Sequence, residues 1–262
     1  RGARPSMPTI RDVPLFQVLA FAARTWPHRL ALSAEPPPQR AAEAPAEMSF
    51  EELRAAALVA ARKLLSLGVR PGDHVALWAA NRVEWVVLEF ALARLGAVLV
   101  TANTALGRDD LAYLLRQSEA RFLLADSRVK GHDLLAVLRS LDRGSLPHLE
   151  RLALFEEEEL EGAARWSALA PAPEDELPPP PGDPDALINM QYTSGTTGFP
   201  KGVMLSSRNI VNNAWTCGQI LGLSPEDRVL VQVPLFHCFG CVVAVLGAFT
   251  HGASIHLVPW FD

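Results

Sequence analysis

Apolar residues recur at helical intervals between positions 48 and 68, at Phe50, Leu53, Ala57, Ala60, Leu64 and Leu67, with Ser49 in front and Gly68 behind. The spacing predicts an amphipathic helix, because residues three and four apart share one face. The Ser49 hydroxyl can cap the first free N–H groups, and Gly68 can take the left-handed turn that stops the helix. After a Pro71-Gly72-Asp73 turn come an apolar run at 75–78, a helical stretch from about 83 to 95 ending at Gly96, and a β-rich run at 97–101. Strand, helix, strand is the resulting order. A helical pattern at 108–118 and a short strand at 122–125 extend it, so the expected fold is α/β, a mainly parallel sheet with helices on both faces.

Between 156 and 185 the character changes. An acidic cluster, Glu156 to Glu159, precedes a stretch in which Pro171, Pro173, Pro178 to Pro181 and Pro184 oppose regular structure. The cluster reads as a solvated surface and the stretch as a linker. This divides the chain into a first α/β subdomain at 1–155, an acidic and Pro-rich linker at 156–185, and the start of a second α/β subdomain at 186–262. Residues 186–192 read as a buried strand, and a helix is expected from near Ser206.

Length and composition narrow the function without choosing it. The 262 residues, 49% apolar and 20% charged, suffice for one large domain or two smaller ones with a real core. The net charge of -5, with scattered Lys and Arg, argues against a nucleic-acid partner. Three cysteines are too few and too uneven for a disulfide framework, which favours a reducing interior: cytoplasm first, with the mitochondrial matrix as the eukaryotic alternative. The apolar run at 85–100 is interrupted by Glu89 and Arg94, so no transmembrane helix is expected, while peripheral membrane contact stays open. The N-terminus lacks a secretory pattern, and Met7 is a candidate start behind Arg1.

The chemistry concentrates at Thr193-Ser-Gly-Thr-Thr-Gly-Phe-Pro-Lys201. Gly195, Gly198 and Gly202 let backbone N–H groups turn toward an anion. Thr193, Ser194, Thr196 and Thr197 add hydroxyl donors, and Lys201 adds a positive charge. A polyphosphate suits such a loop. It is not a Walker loop, because Phe199 and Pro200 separate Gly198 from Lys201. An ordinary strand-to-helix turn needs neither four hydroxyls nor a lysine behind a proline.

The segment resembles the phosphate-binding signature of the adenylate-forming superfamily, which includes acyl-CoA synthetases, luciferases and peptide-synthetase adenylation domains. The segments running from Leu67 to Leu77 and from Asn81 to Trp85 are also similar to that family, and the likeness covers roughly Leu15 onward. It implies the N-terminal domain of the adenylate-forming fold, incomplete here, with a C-terminal domain absent. It further implies ATP, Mg²⁺ and CoA as cofactor and co-substrates, and a carboxylic acid as partner. By resemblance Thr193, Ser194, Gly195, Thr196, Thr197, Gly198 and Lys201 bind the phosphates, and Lys201 also counts as catalytic.

Pro234-Leu-Phe-His-Cys-Phe-Gly240 resembles the next family segment, which implies that His237 lies at the reaction centre, with Phe239 and Gly240 at the substrate entrance. Read alone, a histidine in an apolar run is a hydrogen-bonded core residue. Cys238 and Cys241 form a Cys-x-x-Cys pair without a second ligand pair or a redox context, so no metal site is expected and both read as small buried apolar residues. The apolar run at 242–249 reads as a core helix. The combination is most similar to medium- and long-chain fatty acyl-CoA synthetases. Absence of Asp or Glu between Gly240 and Gly252 weighs against an amino-acid-activating domain. The family's later segments do not occur before Asp262, so the chain is also readable as a catalytically incomplete fragment with apolar surface exposed at 229–262.

Overall fold

The computed structural model describes residues 12–36, 46–193 and 200–259. Helix α1 (Leu15–Thr25) leads into β1 (Leu30–Ala34) and β2 (Ala46–Ser49), an antiparallel pair. Helix α2 (Phe50–Leu67) buries all six apolar positions of the expected face. Its start is a reciprocal capping box: Ser49 Oγ accepts from Glu52 N–H, and the Glu52 carboxylate accepts from Ser49 N–H at 2.8 Å. Gly68 ends it at φ 108°, a conformation that a Cβ would strain.

Strand β3 (His74–Trp78), helix α3 (Val83–Leu95), strand β4 (Val98–Thr101), helix α4 (Arg108–Gln117) and strand β5 (Phe122–Ala125) follow in the expected order. A two-residue hairpin, β6 (Arg128–Val129) and β7 (His132–Asp133), precedes α5 (Leu134–Ser140), β8 (Arg151–Leu154) and β9 (Ala163–Arg165). The chain then forms β10 (Leu187–Thr193), β11 (Lys201–Ser206), α6 (Ser207–Leu221), β12 (Arg228–Val231), a π-helical segment (Phe239–Leu246), a single turn α7 (Gly247–Phe249) and β13 (Ser254–Leu257).

Seven strands pair in the order β11-β10-β4-β3-β5-β8-β9, and every pair is parallel except β10 with β11. Successive residues of β3 serve opposite cores. Val75 and Leu77 pack with α1, α2 and α3, while Ala76 and Trp78 pack with α4 and α5. Helices therefore cover both faces, the arrangement that a parallel sheet requires. The second sheet has the order β12-β13-β1-β2, so strands from either side of the 156–185 segment share both sheets.

That segment is more ordered than its prolines suggest. Strand β9 forms at Ala163–Arg165, ahead of the proline run, by pairing with β8. A single 3-10 turn at Glu174–Glu176 interrupts the rest. Glu156 is not a freely solvated charge, since it receives Arg82 Nη1 at 2.6 Å and Ser127 N–H at 2.7 Å. Among the described residues, no helix is long and apolar enough to cross a membrane. The exposed apolar side chains lie mainly on β11 and at the end of α6, at Val203, Met204, Ile220 and Leu221. In the 229–259 stretch only Leu230 and Phe239 are large apolar side chains that stand exposed, because α6, α7 and the π-helix bury most of their neighbours.

Candidate active site

Strands β3, β4 and β10 run parallel, so their C-terminal ends share one edge of the large sheet. Crevices outside such ends are where open α/β sheets place ligands. Strand β10 ends at Thr193, whose register partner is Lys201, the first residue of β11. The glycine- and hydroxyl-rich segment is thus flanked on both sides by paired residues of an antiparallel hairpin. It does not lead directly into the helix at Ser206; β11 intervenes, and α6 starts at Ser207 with Ser206 and Asn209 forming its capping box. Ser194, Gly195, Thr196, Thr197 and Gly198 lie outside the described residues.

Strand β10 and Pro200, just ahead of β11, are fastened to α4. Tyr113 Oη donates to Pro200 O at 3.1 Å, and Tyr192 Oη donates to Leu114 O at 3.4 Å and to Gln117 Oε1. Burial pushes the Tyr192 phenol up to about 12. The hydroxyl therefore stays a donor. Gly202 fits because a Cβ there would meet Met190 Sδ at 3.0 Å and Gln117 Oε1 at 3.3 Å. Thr193 and Lys201 themselves are exposed.

His237 follows β12 on an irregular turn and is exposed. Its Nδ1 accepts from Phe239 N–H at 3.1 Å. A backbone N–H can only donate, so Nδ1 is unprotonated and the ring proton sits on Nε2. Cys238 Sγ lies 3.9 Å from the same Nδ1. The histidine is thus a surface donor, in contrast to the core residue that its apolar surroundings alone suggest. Cys238 is exposed and Cys241 buried, which corrects the expectation that both are buried: the π-helix turns one inward and leaves the other at its N-terminal end. Phe239 is 52% exposed beside it. Gly240 is buried against the turn, and a Cβ would meet Pro234 O at 2.4 Å.

Two internal connections tie His237 to the sheet. Gln191, two residues before Thr193, donates through Nε2 to Cys241 Sγ at 3.4 Å, while Thr101 Oγ1 donates to Gln191 Oε1 at 3.3 Å. Cys241 Sγ in turn donates to His237 O at 3.6 Å. On the other side, Asn81 just past β3 bonds the chain before His237, donating to Val233 O at 3.0 Å and accepting from Leu235 N–H at 2.8 Å. Sequence reading assigned Asn81, Thr101, Gln191 and Cys241 no such roles. The available signal was weak: Gln191 is a polar residue in a mostly buried strand that also carries Asn189.

The Asn81 turn is itself pinned. Ala80 N–H donates to Asp126 Oδ2 at 2.7 Å, and Arg82 bonds Asp126, Glu84 and Glu156 while lying over the Phe155 ring at 4.4 Å. Burial raises the Asp126 carboxyl, against the pull of Arg82. Glu89 of α3 is also buried, and neither carboxyl oxygen has a hydrogen-bond partner among the described residues. Burial holds its carboxyl well above the usual range, which favours the protonated form. Among the described residues no three His, Cys, Asp or Glu side chains group as a metal site.

The chain is similar throughout to enzymes that activate carboxylic acids. The family described as AMP-binding enzyme matches residues 19–262. YngI of Bacillus subtilis, provisionally named an acyl-CoA synthetase, is 41% identical over 220 residues, covering 77% of this chain and 40% of that protein. The mouse mitochondrial medium-chain acyl-CoA ligase ACSF2 is 32% identical over 236 residues, covering 80% of this chain and 38% of that protein. The anthranilate CoA ligase AuaEII, solved with anthranoyl-AMP, superposes with a TM-score of 0.81 at 29% identity, covering 96% of this chain and 47% of that one. The chain thus spans about two fifths of the length of these curated relatives. With an α/β fold matching the N-terminal domain of adenylate-forming enzymes, it belongs to the AMP-binding enzyme family.

Proposed function

We propose that this chain carries the ATP- and carboxylate-handling face of a fatty acid:CoA ligase that works through an acyl-adenylate. The observation that supports this most is the convergence, on one edge of a parallel sheet, of the Thr193–Lys201 hairpin base and the His237 turn. Adenylate formation needs these two groups together.

A carboxylate is a poor acylating agent until an oxygen has been given a good leaving group. In the proposed step the substrate oxygen attacks the α-phosphorus of ATP, and the bond to the bridging oxygen of pyrophosphate breaks. Lys201, Thr193 and the segment Ser194, Gly195, Thr196, Thr197 and Gly198 hold the β- and γ-phosphates and take up the charge that leaves with them. Mg²⁺ brought in with ATP would supply further charge neutralisation there. His237, with its proton on Nε2, donates to a carboxylate oxygen, and Phe239 and Gly240 border the acyl entrance. CoA thiolate then attacks the acyl carbon and AMP departs.

Fatty acids fit better than amino acids, because the turn and helix at 237–252 present no carboxylate that would pair with a substrate ammonium. The test is carboxylate-dependent ATP–pyrophosphate exchange, run on residues 1–262 and on the longest natural chain containing them. A panel should span short-, medium- and long-chain fatty acids, aryl acids and amino acids. Exchange driven by medium- or long-chain fatty acids supports the reading. Exchange driven only by amino acids, or by no carboxylate in either chain, removes it.

A further inference from the structure

We propose that Asn81 is a positioning residue that sets His237, acting as a side-chain clamp on the segment before it. Two hydrogen bonds across more than 150 residues of sequence carry this: Nδ2 to Val233 O at 3.0 Å and Leu235 N–H to Oδ1 at 2.8 Å. Val233 O can only accept and Leu235 N–H can only donate, so the amide orientation is fixed by its partners. Pro234 between them has no N–H. Asn81 therefore bonds this stretch much as a neighbouring strand would, at a place where proline breaks strand pairing.

Position and rigidity give the clamp its use. His237 N–H donates to Pro234 O at 3.1 Å, so a shift of the clamped segment moves the histidine with it. Asn81 is 7% exposed, and its neighbours Ala80 and Arg82 are bonded to Asp126, which leaves the amide little freedom. Aspartate would keep the acceptor, lose the donor to Val233 O and add a buried charge. Alanine would lose both bonds. No other described side chain is bonded to Val233 O or to Leu235 N–H.

The kinetic part of the test rests on the ligase reading and the exchange part does not. In the unmutated chain, the Leu235 amide should exchange with solvent deuterium about 100-fold slower than its unprotected rate. Exchange near the unprotected rate overturns the clamp whether or not any variant folds. In Asn81→Asp and Asn81→Ala, exchange over residues 233–241 should rise to near unprotected while α2 and β10 keep their protection. In the active ligase chain, kcat for carboxylate-dependent pyrophosphate exchange should fall about 10- to 100-fold, with KM for ATP within about twofold. Unchanged kcat, or a loss carried by KM for ATP, overturns the positioning role. If the unmutated ligase shows no carboxylate-dependent exchange, the ligase reading fails, and amide exchange still decides the clamp.

Discussion

Thr193 and Lys201 are cross-strand partners at the mouth of the β10–β11 hairpin. Their pairing joins the two ends of the hydroxyl-rich segment and fixes where the lysine stands relative to the parallel sheet. The lysine's charge is thus tied to backbone register, and β10 continues inward to Gln191 and its contact with Cys241. The hydroxyl-rich segment and the His237 turn are thus connected through β10.

Gly240 has a steric reason to be glycine beyond any contact with substrate. A Cβ would sit 2.4 Å from Pro234 O, 2.9 Å from Pro234 C and 3.0 Å from Leu235 Cα, all backbone atoms that cannot swing aside. Gly240→Ala should cost about 1–3 kcal/mol of stability and displace the turn that carries His237. Urea denaturation checks it. A variant as stable as the parent would show that the turn relaxes freely.

Glu89→Gln should stabilise the protein, increasingly so as pH rises. The folded state holds the Glu89 proton, because burial raises its pKa, whereas the unfolded carboxyl releases it above the ordinary glutamate value of 4.5. Stability is therefore lost as pH rises from that unfolded value, at up to about 1.4 kcal/mol per pH unit, and the neutral glutamine does not share the loss. Thermal melts of both proteins at pH 5, 6 and 7 read the gap. A gap that is constant or shrinks with pH contradicts the assignment of Glu89 as a buried neutral acid.

Arg82→Met should be severely destabilising. It keeps some of the apolar packing over Phe155 but leaves Asp126 and Glu156 together without their shared cation. Removing one partner of a buried ionic cluster costs about 3–5 kcal/mol. Chemical denaturation at pH 7 measures it, and a loss under about 1 kcal/mol would mean the cluster is screened by solvent.

Helix α2 was legible residue by residue, since its period, its capping serine and its terminal glycine are all local signals. The parallel order β3, α3, β4, α4, β5 was legible for the same reason. Pairing β1 with β13 was not, because its partners lie more than 220 residues apart and no local pattern specifies that register. Strand β11 was missed as well: Lys201-Gly-Val-Met-Leu-Ser shows no clean alternation, and Val203 and Met204 are both exposed. At the site, residue types pointed to polyphosphate, and likeness to a family supplied His237. The bonds from Asn81 and Gln191 are tertiary, and sequence spacing carries no trace of them.

The central claim, that the hairpin steadies departing pyrophosphate, is tested most directly by Lys201→Ala in the active ligase chain with the two half-reactions measured separately. Acyl-adenylate formation from ATP and fatty acid should slow about 100-fold or more, while thioester formation from preformed acyl-AMP and CoA stays within about threefold of the parent. Equal loss in both half-reactions would contradict the claim.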